Sequence, residues 1–466
     1  MRDYFHAGAV IFCAGILMVS ASRAQDQANF APPNVVPPNV APPNNDAILH
    51  EMQELQAEVQ ALRAEVAILK QDSTARPRGL AEIASTTLPS LPAVTPAPVV
   101  QDATHSALAS TPAPPEKPTL AGLLGPTTLS GFVDTYYAYN SNQPVSRTTL
   151  YRNFDINSGQ FALNMLELVA DKSPDAAASR VGYHVALGFG EAVNQMNAGE
   201  LGFDQYLKEG YLEYLAPVGK GLQINAGKFV TPAGAEVIET KDNWNYSRSL
   251  LFALAIPYFH YGASAKYAFN SKFSLTGYLV NGWNNSVENN SGKTTGFSAA
   301  WTPTSKISLV QNYLVGPEQF NDNSNFRHLF DTVFTYSPKP KLSLMANYDY
   351  GQDHPLGVSA HWSGIAGYIK YTPNDKWAFA ARGEYFSDNN GATTGVPQNL
   401  SEFTVTAQRM IASKIMSRLE FRRDLSDQSV FPYRTSGIEG SNFLPTSAQN
   451  TVTLGLVYAF SSADAK

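Results

Sequence analysis

From Leu129 onward the chain alternates with a period of two, in runs of about ten residues, as half-buried strands do. Val181, Tyr183, Val185, Leu187 and Phe189 share one face, opposite Gly182, His184, Ala186 and Gly188. Leu342, Leu344, Ala346, Tyr348 and Tyr350 oppose Ser343, Met345, Asn347 and Asp349. Trp377, Phe379, Ala381 and Tyr385 oppose Ala378, Ala380, Arg382 and Glu384, and Val452, Leu454, Leu456, Tyr458 and Phe460 oppose Thr451, Thr453 and Gly455. One face is apolar and aromatic, the other small or polar. In one run the phase slips: Phe161, Leu163 and Met165 share a face, but Leu166, Leu168 and Ala170 continue on the other parity. A one-residue bulge near Met165 restores the pattern and turns Glu167 to the polar side.

A soluble sandwich also alternates, so the connections have to decide. About 16 strands can be counted, and their links alternate between short and long. Asn270-Ser271, Thr302–Ser305, Ser337–Pro340, Thr372–Asp375 and Ala412-Ser413 are short; 140–158, 231–257, 388–399 and 426–448 are long and rich in Asn, Gly and Ser. Short turns at one end and long loops at the other describe an all-β fold: a transmembrane up-and-down antiparallel β-barrel over 127–460, with a tail at 461–466. Only a closed barrel lets strands satisfy their backbone groups within lipid. An even strand number places both barrel ends on the short-turn, periplasmic side. Composition agrees: charged residues are 15%, against roughly 25% in soluble proteins, because the lipid-facing side excludes charge. Past the N-terminus no stretch approaches the roughly 18 apolar residues of a membrane helix. Tyr136, Tyr137, Tyr139, Tyr211, Tyr214, Trp301, Trp362, Trp377 and Tyr458 are candidates for the aromatic girdles at the two lipid interfaces.

Residues 1–24 read as an export signal. Arg2 precedes an apolar stretch from Ala9 to Ala21, and Ser22-Arg23-Ala24 supplies a small-residue cleavage site. Cys13, the sole cysteine, lies inside that stretch, so the processed chain carries no thiol, which suits an oxidising compartment. From 25 to 126 the only aromatic residue is Phe30, and 16 of the 30 prolines fall there, so this region cannot build a core of its own. Residues 25–45 repeat Pro-Pro-Asn and read as extended chain. In 46–72, Ile48, Met52, Leu55, Val59, Leu62, Val66 and Leu69 are spaced 4-3-4-3-4-3, the heptad of a short coiled coil. Residues 73–126 read as an Ala/Pro/Thr-rich tether.

Thr453-Leu454-Gly455-Leu456-Val457-Tyr458-Ala459-Phe460 resembles the terminal strand signal read by the barrel-assembly machinery, although six residues follow Phe460 here. Residues 227–262 carry a second resemblance, through Gly227-Lys228-Phe229, Thr231-Pro232, Gly234, Glu236, Asn243-Trp244-Asn245-Tyr246-Ser247-Arg248-Ser249, Pro257, His260 and Gly262. They look like the OmpL-like β-barrel porin family, with similarity extending over about 129–460. The resemblance implies an outer-membrane location and solute passage, without naming a solute.

A barrel of this size is too wide for side chains to fill, so whatever narrows it governs function. By analogy with general porins, whose third external loop folds into the lumen, loop 231–257 is expected to form the constriction. It brings Glu236, Glu239, Lys241, Asp242 and Arg248, and its apolar run Leu250 to Ile256 should pack on the barrel wall. The polar faces of late strands offer Arg382, Arg418 and Arg422 with Glu384 and Glu420 beside them. As a facing wall they would set a transverse field across the opening; alternatively these arginines pair with the glutamates and only occupy space. Asp349 and Glu167 are further inward candidates. His184 and His260 lack a second ligand at metal-binding spacing, and no metal or cofactor is expected. No nucleophile elbow, zinc helix or phosphate loop supports catalysis, and a net charge of −6 gives no footprint for nucleic acid.

The expected function is a porin for passive diffusion of small hydrophilic solutes, held in membrane lipid as a homo-oligomer. Heptad packing suggests a dimer, while the porin analogy favours a trimer. The alternative is a structural anchor that tethers a periplasmic partner through the coiled coil.

Overall fold

The structure is a computed structural model that describes residues 125–411, 414–434 and 444–465. The export signal, the Pro-rich segment, the heptad seam and most of the tether lie outside the described residues.

Among the described residues eighteen strands are formed: β1 Thr128–Asn140, β2 Gln160–Lys172, β3 Val181–Phe189, β4 Leu207–Ala216, β5 Leu222–Val230, β6 Phe259–Asn270, β7 Phe273–Val280, β8 Thr294–Thr304, β9 Ile307–Pro317, β10 Phe326–Lys339, β11 Leu342–Asp353, β12 Ala360–Asn374, β13 Trp377–Asp388, β14 Gln398–Ile411, β15 Ile415–Ser426, β16 Phe431–Tyr433, β17 Leu444–Thr446 and β18 Ala448–Ser461. Sixteen of them close into one antiparallel barrel, each paired with its sequence neighbours, and β18 closes on β1. β16 and β17 form a separate small hairpin in the long connection between β15 and β18.

The expected alternation sets the two surfaces. On β11, Leu344 and Tyr348 are exposed on the outside, while Asn347 and Asp349 are buried inside. Exposed outward side chains such as Phe379, Leu419 and Leu454 would be costly in water and are at home in lipid. The short turns carry a proline device. Register shifts occur between Trp301 and Thr304, between Tyr336 and Lys339, and between Tyr371 and Asn374. Pro303, Pro338 and Pro373 sit at these shifts, where a residue without an N–H interrupts no ladder bond. The strands therefore run through these prolines, and the turns are shorter than the sequence suggests.

The bulge in β2 is present: Asp134 faces Met165 and Thr135 faces Leu163, leaving Asn164 as the extra residue. Glu167 points inward and is buried. A second bulge was not legible. Ala186 faces Glu209 and Leu187 faces Leu207, so Lys208 is extra, and both Lys208 and Glu209 turn inward. Three of the girdle candidates are corrected. Tyr136, Tyr211 and Trp362 face the interior, Tyr136 in phase with Asp134, Tyr211 stacked 5.1 Å from His184, and Trp362 donating to the Ala255 carbonyl at 3.0 Å.

Candidate functional site: a loop clamped inside the barrel

Residues 231–258 leave β5, enter the lumen and return to β6. A backbone inside a barrel gives up its water, so its N–H and C=O groups need protein partners. The inner wall supplies them. From β15, Arg418 donates to the carbonyls of Thr240 (2.6 Å), Asn245 (3.0 Å) and Asn243 (2.5 Å). On β13, Arg382 donates to the Ser247 carbonyl at 2.8 Å and the Arg248 carbonyl at 3.2 Å, and Arg422 also donates to the Arg248 carbonyl. A guanidinium presents several donors in a rigid fork, which suits it to gripping successive carbonyls.

The carboxylates take the loop's donors. Glu420 accepts from the amides of Tyr246 (2.5 Å) and Ser247 (3.0 Å), and Glu384 from those of Leu250 (2.6 Å) and Leu251 (3.2 Å). Within the loop, Glu236 bonds Arg382 at 2.7 Å and accepts from the Ser249 amide at 2.6 Å. Arg248 donates to the carbonyls of Val237, Ile238 and Tyr246, closing the loop on itself. Glu239 pairs with Lys208 on β4, and exposed Asp242 with half-buried Lys241 at 2.5 Å.

Pins come from other quarters of the barrel as well. Tyr246 donates its hydroxyl to Asp134 of β1 at 2.9 Å, Asn164 of β2 donates to Thr240 at 3.0 Å, Asn312 of β9 donates to the Pro232 carbonyl at 3.0 Å, and the Ala235 amide donates to Asn347 of β11 at 3.2 Å. The apolar run packs as expected. Leu250, Leu251, Phe252, Ala255 and Ile256 are buried against Phe132, Leu314, Trp362, Ala366 and Phe386, which are inward-facing wall residues. The inner face is therefore not polar throughout: where the loop lies, the wall carries apolar residues that match it.

Arg382, Glu384, Arg418, Glu420 and Arg422 all face inward, as the alternation requires, and all are buried beneath the loop. Arg382 reaches neighbouring Glu384 only at 3.8 Å; its close wall partner is Glu402 at 2.7 Å, while Arg422 bonds Asp424 at 2.6 Å. Glu402 and Asp424 share the inward parity of their strands, so the alternation could have marked them. Of the two histidines, His260 contacts the Gly282 carbonyl at 2.8 Å and Thr231 at 3.3 Å, holding the loop's first residue, and His184 contacts Asp171 at 3.0 Å.

The loop leaves part of the lumen free. On β5–β8 the inward side chains Gln223, Asn225, Ser274, Thr276 and Ser298 remain partly exposed and Lys266 is exposed. Beneath the loop a cavity of about 480 Å³ lies between the inner wall of β2–β4, the loop's Glu239 and Lys241, and the end of β18.

At the opposite end, Glu318 follows β9 and joins two of the long loops, accepting from the Trp283 amide at 2.9 Å and the Thr294 hydroxyl at 2.5 Å. Burial pushes its carboxyl up to about 7 from an ordinary 4.5. The native state then holds the proton more tightly than the unfolded chain, so stability rises as pH falls through 7 and levels off below about 4.5. Glu318→Gln should remove this slope and stabilise the barrel by a few kcal/mol above pH 7. Thermal unfolding midpoints at pH 8 and pH 5 check it; parallel pH profiles for the two proteins would contradict it.

A closed barrel of sixteen strands, apolar outside and holding its third long loop against a charged inner wall, has the architecture of an outer-membrane porin. Residues 126–460 match the family described as "Putative beta-barrel porin-2, OmpL-like", and the chain belongs to that family. No curated protein matches the chain. Among solved structures it is similar to OmpT of Vibrio cholerae (12% identity, TM-score 0.47, covering 72% of this chain and 97% of that one). It is also similar to an anion-selective porin from Comamonas acidovorans (10%, 0.47, 72% and 99%) and to the channel DcaP of Acinetobacter baumannii (10%, 0.46, 72% and 97%).

Proposed function

We propose that the protein is a passive outer-membrane porin for small hydrophilic solutes, a channel rather than an enzyme. The observation that carries this reading is the loop fastened inside the barrel, which narrows the lumen while a polar strip of wall along β5–β8 stays uncovered. A barrel serving only as an anchor has no need of a backbone segment held in its lumen by so many charged groups, so the tether reading is the weaker one. The working unit is a homo-oligomer, with a trimer favoured, seated in membrane lipid after delivery by the barrel-assembly machinery, and with residues 25–126 in the periplasm. The heptad 46–72, with its seam at Met52, Leu55, Val59, Leu62, Val66 and Leu69, helps to join the subunits. Purified protein in a planar bilayer should give stepwise conductance, with steps grouped in threes that become single when 46–72 is deleted. A folded protein without conductance steps would return the tether reading, and unaltered grouping in the deletion would remove the heptad from assembly.

A further inference from the structure

With Arg382, Arg418 and Arg422 buried against the loop, the charge along the remaining passage comes from another part of the wall. The bulges at Asn164 and Lys208 turn Glu167 of β2 and Lys208 and Glu209 of β4 inward, on the two strands that flank β3. Lys208 is buried, and its ammonium is shared by Glu167 at 2.6 Å, Glu209 at 3.4 Å and Glu239 of the loop. One positive charge cannot neutralise three negative ones. The row continues along β2–β4: His184 lies 3.7 Å from Glu209 and 3.0 Å from Asp171, and Glu213 faces inward one step beyond. The side chains of Asp171, Glu239 and Glu209 keep 35%, 17% and 11% of their surface open.

We infer that this wall selects for cations, and that the passage favours amine-bearing solutes over anions; the inference rests on the porin reading above. Glu167, Asp171, Glu209, Glu213 and Glu239 stand against Lys208 on this side, and on the other side the inward faces of β6 and β12 bring Lys266 and Lys370. Five negative and three positive groups leave a net of −2. Lys241 is matched by its neighbour Asp242. The cavity is small: a sphere of 480 Å³ has a radius of about 5 Å, shorter than the Debye length of about 8 Å at physiological salt. The charges that line it, Glu167, Glu209, Glu239 and Asp464 against Lys208 and Lys241, therefore act on any solute inside it, and the low-dielectric barrel focuses that field.

The test is the reversal potential of single channels in a KCl gradient. The parent protein should pass potassium in preference to chloride, and putrescine on the periplasmic side should reduce the potassium current. In the triple variant Asp171→Asn, Glu209→Gln, Glu213→Gln the permeability ratio should fall about threefold or more. If that variant does not assemble, Glu213→Gln alone should lower the ratio in the same direction. A conducting parent channel that prefers chloride, or variants whose reversal potential equals the parent's, overturns the inference and leaves the porin reading standing. A folded barrel without any conductance removes the porin reading itself.

Discussion

Arg382→Ala should release the loop and widen the channel. Arg382 is buried and holds Glu402, Glu236 and two loop carbonyls at once. Its loss leaves Glu236 and Glu402 without this partner in a site closed to water, and breaking a buried pair in this way costs about 3–5 kcal/mol. The barrel ladder does not involve the side chain, so the strands should still close. The cost should therefore fall on the loop's attachment. Single-channel conductance should rise and become noisy, and trypsin should gain access to Lys241 and Arg248 while the barrel keeps its heat-resistant mobility on gels. Conductance and proteolysis equal to the parent's would mean that the other pins suffice without Arg382.

The second large effect is expected from Gly455→Leu. Gly455 faces inward on β18, and a Cβ there would meet the Tyr246 ring at 2.2 Å. Tyr246 cannot retreat cheaply: its hydroxyl is bound to Asp134 and its amide to Glu420. Overpacking costs typically about 1–3 kcal/mol, and here it also breaks bonds of a buried ring. Gly367→Leu is the control, because Gly367 faces lipid on β12 and a Cβ there meets nothing within 4 Å. Gly455→Leu should raise conductance and loop proteolysis, and Gly367→Leu should change neither. Equal behaviour of the two variants would show that the loop adapts to a filled Gly455 site.

The barrel was legible because lipid outside and loop inside impose opposite demands on alternate residues, and period two survives over every long strand. Even the slip at Met165 was informative, since the parity of Leu166 and Leu168 demanded an extra residue. Lys208 escaped because its bulge leaves Leu207, Lys208 and Glu209 without a broken apolar pattern to betray it. Tyr136, Tyr211 and Trp362 were assigned by residue type, since aromatic residues serve both at lipid interfaces and against a packed interior. Parity with Asp134 points Tyr136 inward. The loop's own location followed from the porin analogy, while its fastenings did not. A guanidinium bound to a backbone carbonyl leaves no partner residue to recognise in the sequence.

Tyr246 also lies where the barrel is sewn shut. It rests on Gly455 of β18 and bonds Asp134 of β1, and these strands pair directly, Tyr136 opposite Gly455. Those two strands are separated by some three hundred residues of chain, and contacts so remote in sequence form late. The seat of the Tyr246 ring therefore does not exist until the last strand has found the first. During assembly the Tyr246 ring is seated and the wall completed in the same event, so a chain arrested before its final strand would leave that ring unseated even where Arg382 and Arg418 already grip the backbone.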